Sequence, residues 1–175
     1  MKVNRLKKNI NFIRKFFRSV NWYEVFDKKK IKNIKKNNFK LIVLKTKKNI
    51  KKTNLEEYFK RNKFKIKRLN KKNYFLALVK EKKLLSSGWI YFGSRWKIEE
   101  IEKNVKLNSN HLLYDFETPK KLRNKGYYQS LLKLIRNRFM SQKLAIYSLS
   151  SNMKSNRAIG KSGFKFIKRI NGLRN

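Results

Sequence analysis

The chain has 175 residues, with 49 Lys and Arg against 10 Asp and Glu, so its formal net charge is +39. It has no cysteine and one histidine, which excludes a disulfide framework, a zinc site with cysteine ligands and a histidine metal cluster. No apolar run approaches the roughly 18 residues of a membrane-spanning helix, and the first residues lack the apolar core of a secretory signal. We therefore expect a cytoplasmic protein with no transmembrane segment and no metal.

The positive charge has two interpretations. It is typical of proteins that bind nucleic acid. However, lysine is much commoner than arginine, and asparagine and isoleucine are also abundant, which is the bias of AT-rich coding. Lysine acquired in that way covers a surface without forming a site. The hydrophobic content of 40% nevertheless predicts a folded core rather than a disordered basic tail.

Residues 1–30 are predicted to form a basic amphipathic helix, followed by one domain over residues 31–175. Apolar residues recur there at helical spacing between lysines and arginines. They are Leu6, Ile10, Ile13, Phe16, Phe17 and Val20. We expect this helix to pack its apolar stripe on the domain; the alternative is that it lies on an anionic membrane surface, peripheral to the bilayer.

The rest of the chain alternates between strand and helix patterns. The predicted elements are a charged loop at 28–38, a strand at 39–45, a helix opening at 53–56, a hairpin of strands at 73–80 and 84–92, a short helix at 96–105, a strand at 111–116, a helix at 128–139, a strand at 144–149, a helix at 152–161 and a strand at 164–170. Thr53 and Glu56 form a predicted capping box. Gly88 indicates a bulge or a close backbone approach, and Gly163 closes the second long helix. This order predicts a mixed α/β domain.

The segment that carries chemistry is the turn between residue 116 and the helix after it. A strand there leads through Arg123, Lys125 and Gly126 into a helix N-terminus, where free N–H groups and the helix dipole favour phosphate. Glycine lets the backbone approach a ligand closely. The alternative is an ordinary basic turn.

The C-terminal half, residues 74–170, resembles the GNAT superfamily of acetyl-CoA-dependent N-acetyltransferases. Arg123-Asn124-Lys125-Gly126-Tyr127-Tyr128 is similar to the family signature Arg/Gln-x-x-Gly-x-Gly/Ala, which also joins a strand to a helix. Asn152 and the pair Gly163-Phe164 stand at the family's separation on the following elements. The resemblance implies a mixed, mostly antiparallel central sheet with helices on both faces, here preceded by the basic helical extension.

The same resemblance implies a binding site for acetyl-CoA. Backbone groups of Phe116, Glu117 and Thr118 would hold the pantetheine arm, and the signature turn would hold the pyrophosphate. The implied cofactor-binding residues are Phe116, Glu117, Thr118, Arg123, Asn124, Lys125, Gly126, Tyr127, Tyr128, Gln129, Asn152 and Ser155. An amine would then attack the thioester directly, a reaction that needs positioning and a deprotonated amine.

Two residues depart from the family pattern. Tyr128 replaces the last small residue of the signature, so its side chain must point into the core. Ile159 stands where many family members carry a tyrosine as general acid, so the thiolate needs another proton donor. The candidate bases are Glu117, Asp115 and His111, which strand alternation places nominally on one face unless a bulge intervenes.

These observations favour an N-acetyltransferase that moves an acetyl group from acetyl-CoA to a primary amine. The residues from Asp115 to Thr118 resemble those of GNAT-like proteins of cell-surface polysaccharide pathways, so an amino sugar is the expected acceptor, with a small amine or a protein as alternatives. A basic, ribosome-associated nucleic-acid-binding protein is the second hypothesis. A catalytically inactive GNAT scaffold is the third.

Overall fold

The computed structural model describes residues 18–26, 31, 38–108 and 111–172. Its strands are β1 (Ser19–Val25), β2 (Lys40–Leu44), β3 (Asn73–Lys80), β4 (Lys83–Tyr91), β5 (Arg95–Ile98), β6 (Lys103–Lys106), β7 (His111–Glu117), β8 (Leu144–Leu149) and β9 (Lys165–Asn171). Its α-helices are α1 (Glu56–Arg61), α2 (Lys63–Ile66), α3 (Tyr127–Arg138) and α4 (Met153–Lys161), and short 3-10 helices cover Lys47–Lys52 and Lys120–Leu122.

Seven strands form one sheet in the order β2-β3-β4-β7-β8-β1-β9. Every neighbouring pair is antiparallel except β7 and β8, which are parallel. Strands β5 and β6 form a separate hairpin. This arrangement confirms the predicted mixed α/β class with a mostly antiparallel sheet.

Both faces of the sheet are covered, as alternation along β3 demonstrates. Leu76 and Leu78 pack with Leu131 and Ile159 of α3 and α4. Phe75 and Ala77, which alternate with these leucines and point the opposite way, pack with residues of the 3-10 helix Lys47–Lys52 and of α1 on the other face. The β5–β6 hairpin covers the same second face further along, over Trp22 and Ala145.

The N-terminal prediction needs a correction. Val20 was expected in the amphipathic helix, but it lies in β1, a strand held between β8 and β9. Val20 and Trp22 are both buried, and their spacing of two residues is that of a strand. In the sequence this pattern is hidden, because Val20 also continues the helical spacing of the apolar residues before it. The predicted division at residue 30 would leave β1 outside the domain, whereas β1 belongs to the seven-stranded sheet. Residues 1–17 of the predicted helix and most of the loop at 28–38 lie outside the described residues.

Two further local predictions were wrong. Residues 96–105 form the β5–β6 hairpin, because Trp96 and Ile98 alternate along one strand and Glu102 (φ 51°) takes the left-handed conformation of a turn. Thr53 does not cap α1. Its hydroxyl donates to Ile50 O at 2.9 Å and so closes the preceding 3-10 helix.

Candidate functional site

The centre of the sheet opens between its two parallel strands. Strands β7 and β8 pair only where His111–Leu113 face Leu144–Ile146. Beyond that point β7 stays on β4, as the pairs Tyr114–Trp89 and Glu117–Ser87 show. Strand β8 stays on β1 instead, up to Leu149. The two strands therefore part after residue 113 and leave a gap beside residues 114–117.

A β-bulge accompanies this parting. Asp115 and Phe116 of β7 together face the single residue Gly88 of β4, and Asp115 has a φ of 48°. A Cβ atom on Gly88 would lie 2.4 Å from the ring of Phe116, so only glycine leaves room for that ring. A bulge bends its strand and increases its twist. The bulge that Gly88 indicates is thus present, with its extra residue on β7, and it lies where β7 diverges from β8.

A cleft of about 460 Å³ lies beside the gap, between the N-terminal ends of α3 and α4. Its lining includes ten of the twelve predicted cofactor-binding residues, together with two others. The residues are Phe116, Glu117, Thr118, Leu122, Arg123, Asn124, Gly126, Tyr127, Tyr128, Asn152, Lys154 and Ser155. Of the two not in the lining, Lys125 is exposed, and Gln129 Nε2 donates to Lys161 O at 3.1 Å, joining α3 to α4.

The turn before α3 presents a helix N-terminus to this cleft. Gly126 is the N-cap residue at a φ of 77°, and no side chain caps the helix. A Cβ atom added at Gly126 would meet nothing within 4 Å, so the space over the first turn is open. Arg123 Nε donates to Thr118 O at 3.0 Å and holds the turn against the end of β7. The site therefore combines unpaired N–H groups, a positive dipole and a nearby cation, which together suit a phosphate.

The second helix end is already capped. Asn152 accepts from the backbone N–H of Ser155 at 3.2 Å, so its side chain oxygen has a structural partner. Tyr128 points into the core, as predicted, with its ring 5.2 Å from the ring of Phe116. Burial raises the pKa of Tyr128 well above its usual value, although a hydrogen bond with Ser155 partly offsets this. Tyr128 and Phe116 form the apolar floor of the cleft.

Two ion pairs tie the end of β7 to the segment that includes α2. Lys65 Nζ lies 2.8 Å from Glu117 Oε2 and also donates to the Tyr58 hydroxyl at 2.8 Å. Arg68 pairs with Asp115 in the same way. Burial by itself would lower the pKa of Lys65, but the hydrogen bonds to Glu117 and Tyr58 outweigh it and leave that pKa above its ordinary value. The protonated Lys65 side chain therefore holds the Glu117 side chain in place at the edge of the cleft.

Sequence reasoning overlooked Lys65. Its side chain is 7% exposed, and within the described part of the chain it is the one buried residue among the lysines and arginines. It belongs to a run of alternating lysines, so nothing in the sequence distinguishes it from its exposed neighbours Lys63 and Lys67. The sequence offers only an indirect clue, which is the partner of Lys65. Acidic residues are scarce in this chain, and Glu117 stands out because it directly follows a predicted strand.

The structure does not bring His111 to the cleft. It occupies the opposite end of β7, six residues and so roughly 20 Å from Glu117. Its ring lies 4.7 Å from that of Phe92, and burial lowers its pKa, which keeps it neutral near pH 7. Ile159 is fully buried in the core and offers no hydrogen-bonding group.

Residues 18–26, 31, 38–108 and 111–172 contain neither a membrane-spanning helix nor a cluster of metal ligands. There, no helix is both long enough and apolar enough to cross a bilayer. Nor do three or more His, Asp or Glu side chains gather there in a way that could hold a metal ion.

Comparison with known proteins identifies the fold. No family model and no curated protein matches the sequence. A GCN5-related N-acetyltransferase from Sphaerobacter thermophilus has a TM-score of 0.55 at 9% identity, over 87% of this chain and 50% of that chain. A conserved protein of unknown function from Staphylococcus epidermidis has a TM-score of 0.53 at 8% identity, over 87% of this chain and 59% of that chain. The chain thus spans half the length of the first of these proteins and about three fifths of the second.

A third similar structure is of comparable size. It is the aminoglycoside acetyltransferase meta-AAC0020 from an uncultured soil metagenomic sample, with a TM-score of 0.53 at 12% identity over 80% of this chain and 97% of that chain. That protein was solved in complex with trehalose and in complex with sisomicin. These similarities show that the chain has a GNAT-like fold.

Proposed function

We propose that the protein is an acetyl-CoA-dependent N-acetyltransferase acting on a primary amine. The observation that carries this proposal is the gap between β7 and β8, which leads directly to the uncapped N-terminus of α3. An elongated ligand with a phosphate at one end would place that phosphate on the helix and its other end between the strands.

The residues present fit acetyl-CoA in three respects. The N–H groups after Gly126 and the guanidinium of Arg123 suit the pyrophosphate. The floor of Phe116 and Tyr128 suits an apolar arm. The bulge at Asp115 interrupts the β4–β7 ladder, so a ligand in the gap would lie next to irregular backbone. Acetyl-CoA supplies an activated thioester; the protein's part is to bind it, orient the amine and exclude water.

The acceptor is proposed to be an amine-bearing small molecule, with an amino sugar as the first choice. The similarity to an aminoglycoside acetyltransferase supports an acceptor of that chemical class. Carboxylates of Asp115 and Glu117 stand at the edge of the gap, where an ammonium group would be attracted. Each of these carboxylates also has a cationic partner within the protein, Arg68 for Asp115 and Lys65 for Glu117.

The first experiment measures binding of acetyl-CoA. Because a ligand that binds only the folded state stabilises it by about 2.7 kcal/mol at a hundred times its Kd, 1 mM acetyl-CoA should raise the melting temperature by several degrees. Acetylation is then followed as release of free thiol with glucosamine, sisomicin, spermidine and a lysine peptide. No stabilisation by acetyl-CoA would refute the proposal. Stabilisation without acetylation of any amine would favour an inactive GNAT scaffold.

A further inference from the structure

The point at which β7 and β8 part carries a tyrosine on each strand. The last paired residues are Leu113 and Ile146, so the first residues beyond the pairing are Tyr114 and Tyr147. Leu113 and Ile146 pack on the face of α3, and strand alternation directs both tyrosines to the opposite face. Each strand thus contributes a phenol at the narrow end of the gap.

Trp96, from the β5–β6 hairpin, joins the two tyrosines. Its ring centroid lies 4.5 Å from that of Tyr114, and its Nε1 donates to the Tyr147 hydroxyl at 3.4 Å. The Tyr147 hydroxyl in turn donates to Glu100 Oε2 at 3.4 Å. Trp22 stacks parallel to the Tyr147 ring. The ring is therefore fixed, whereas both contacts of its hydroxyl are long, so this hydroxyl can turn toward a closer acceptor.

The two phenols differ in whether the hydroxyl is available. The Tyr114 hydroxyl donates to Asn73 Oδ1 at 2.8 Å, an ordinary strong hydrogen bond that occupies its proton. The proton of Tyr147 has only the long contact to Glu100. Burial first, and then the negative charges of Glu100 and Asp115, raise the pKa of Tyr147, so it remains a proton donor throughout the neutral range.

Acetyl transfer needs such a donor. When the amine nitrogen bonds to the carbonyl carbon, the carbon–sulfur bond breaks and its electron pair stays on sulfur, which then takes a proton. Ile159 cannot supply it, and the phenol of Tyr128, on the α3 side of the sheet, is already hydrogen-bonded with Ser155. A thioester lying in the gap with its acyl end at the narrow end would bring its sulfur toward Tyr147.

We propose that Tyr147 is a catalytic residue of this acetyl transfer and gives its phenolic proton to the sulfur as the carbon–sulfur bond breaks. The proton that the attacking nitrogen loses passes to the Glu100 carboxylate and from there to the Tyr147 oxygen. The sum of these steps is one amide and one free thiol, with both side chains restored. This inference rests on the proposed function.

The test uses CoA itself and needs no known acceptor. Iodoacetamide alkylates only the thiolate, so the pH dependence of alkylation of protein-bound CoA reports the pKa of its thiol. If Tyr147 donates to the sulfur, Tyr147→Phe should raise that pKa by about one pH unit, a tenfold loss of thiolate at a given pH. Trp96→Phe, which removes the N–H contact to Tyr147, should shift it in the same direction by less. Tyr74→Phe removes another half-buried strand hydroxyl and serves as the control.

Binding separates the two levels of the inference. CoA should bind wild type and Tyr147→Phe with Kd values within about twofold, and the two proteins should melt at similar temperatures. An unchanged thiol pKa in a folded, CoA-binding Tyr147→Phe protein would overturn the role of Tyr147 and leave the proposed function standing. Failure of the wild type to bind CoA would refute the proposed function and this inference with it. With any amine that is acetylated, Tyr147→Phe should lower kcat about a hundredfold without raising KM.

Discussion

Two nearly identical substitutions at Gly126 test whether phosphate binds at the N-terminus of α3. Asparagine and aspartate tolerate the left-handed conformation that Gly126 adopts at a φ of 77°, and both are good N-cap residues. The open space over Gly126 accommodates either side chain. Gly126→Asn and Gly126→Asp therefore differ in one negative charge and little else.

The charge should act in opposite directions on stability and on binding. Next to the positive end of the α3 dipole, aspartate stabilises the free protein by about 0.3–1 kcal/mol relative to asparagine. For one negative charge of a bound phosphate, taken to lie about 7 Å away at an effective dielectric constant of about 20, the same charge costs about 2 kcal/mol. Gly126→Asp should thus bind acetyl-CoA about tenfold to thirtyfold more weakly than Gly126→Asn, although it melts at an equal or higher temperature.

Titration calorimetry at two salt concentrations measures this difference. Since the Debye length falls from about 30 Å at 0.01 M to about 8 Å at 0.15 M, the ratio of the two Kd values should shrink at the higher concentration. Equal Kd values at low salt would show that no phosphate lies on this helix. A ratio independent of salt would mean that the aspartate acts through altered structure rather than through its charge.

Three further predictions concern the elements around the cleft. Gly88→Ala should lower the free energy of unfolding by about 1–3 kcal/mol in urea denaturation, because its Cβ would clash with the ring of Phe116; an unchanged value would show that the bulge yields easily. Glu117→Met should cost about 2–3 kcal/mol, because it removes the carboxylate from the buried Lys65 ammonium and leaves the Tyr58 hydroxyl as the hydrogen-bond partner. Lys65→Met should cost less than about 1 kcal/mol, because the Glu117 carboxylate that it leaves is 50% exposed. Equal losses would contradict this expectation, and exposed Lys67→Met is the control. Burial lowers the pKa of His111 in the folded protein below the unfolded value near 6.5. Its contribution to stability is therefore complete above that pH and is lost as the pH falls through the folded-state pKa. Between pH 7 and pH 5, His111→Leu should lose less stability than wild type, as measured by urea denaturation at each pH.

The turn into α3 could be predicted from sequence because its causes are local. Gly126 and Gly163 both adopt positive φ, which a glycine signals directly. The apolar stripe of α3 has helical spacing, and its members Leu131, Leu132 and Ile135 are all buried. The resemblance rests on such local features, and ten of the twelve residues that it implies line one cleft.

The position of β1 and the shape of the β5–β6 hairpin could not be predicted in the same way. Strand β1 is separated by more than a hundred residues from both of its partners, and no local pattern selects a place between β8 and β9. In the hairpin, the apolar positions Trp96, Ile98, Ile101 and Val105 satisfy a helical period about as well as an alternating one. Packing of Trp96 on Tyr114 and Tyr147 decides between the two, and that contact exists only in the folded sheet.

The formal net charge of +39 comes mainly from lysines. Most lysines in the described chain are exposed, where a cation contributes little to stability or specificity. Scarce residue types are more informative in such a chain. Three of its ten acidic residues, Glu100, Asp115 and Glu117, stand around the parted ends of β7 and β8, and each contacts a residue from a different segment. If the acceptor is the proposed amine, carboxylates held in place there against the surrounding positive charge would attract its ammonium group.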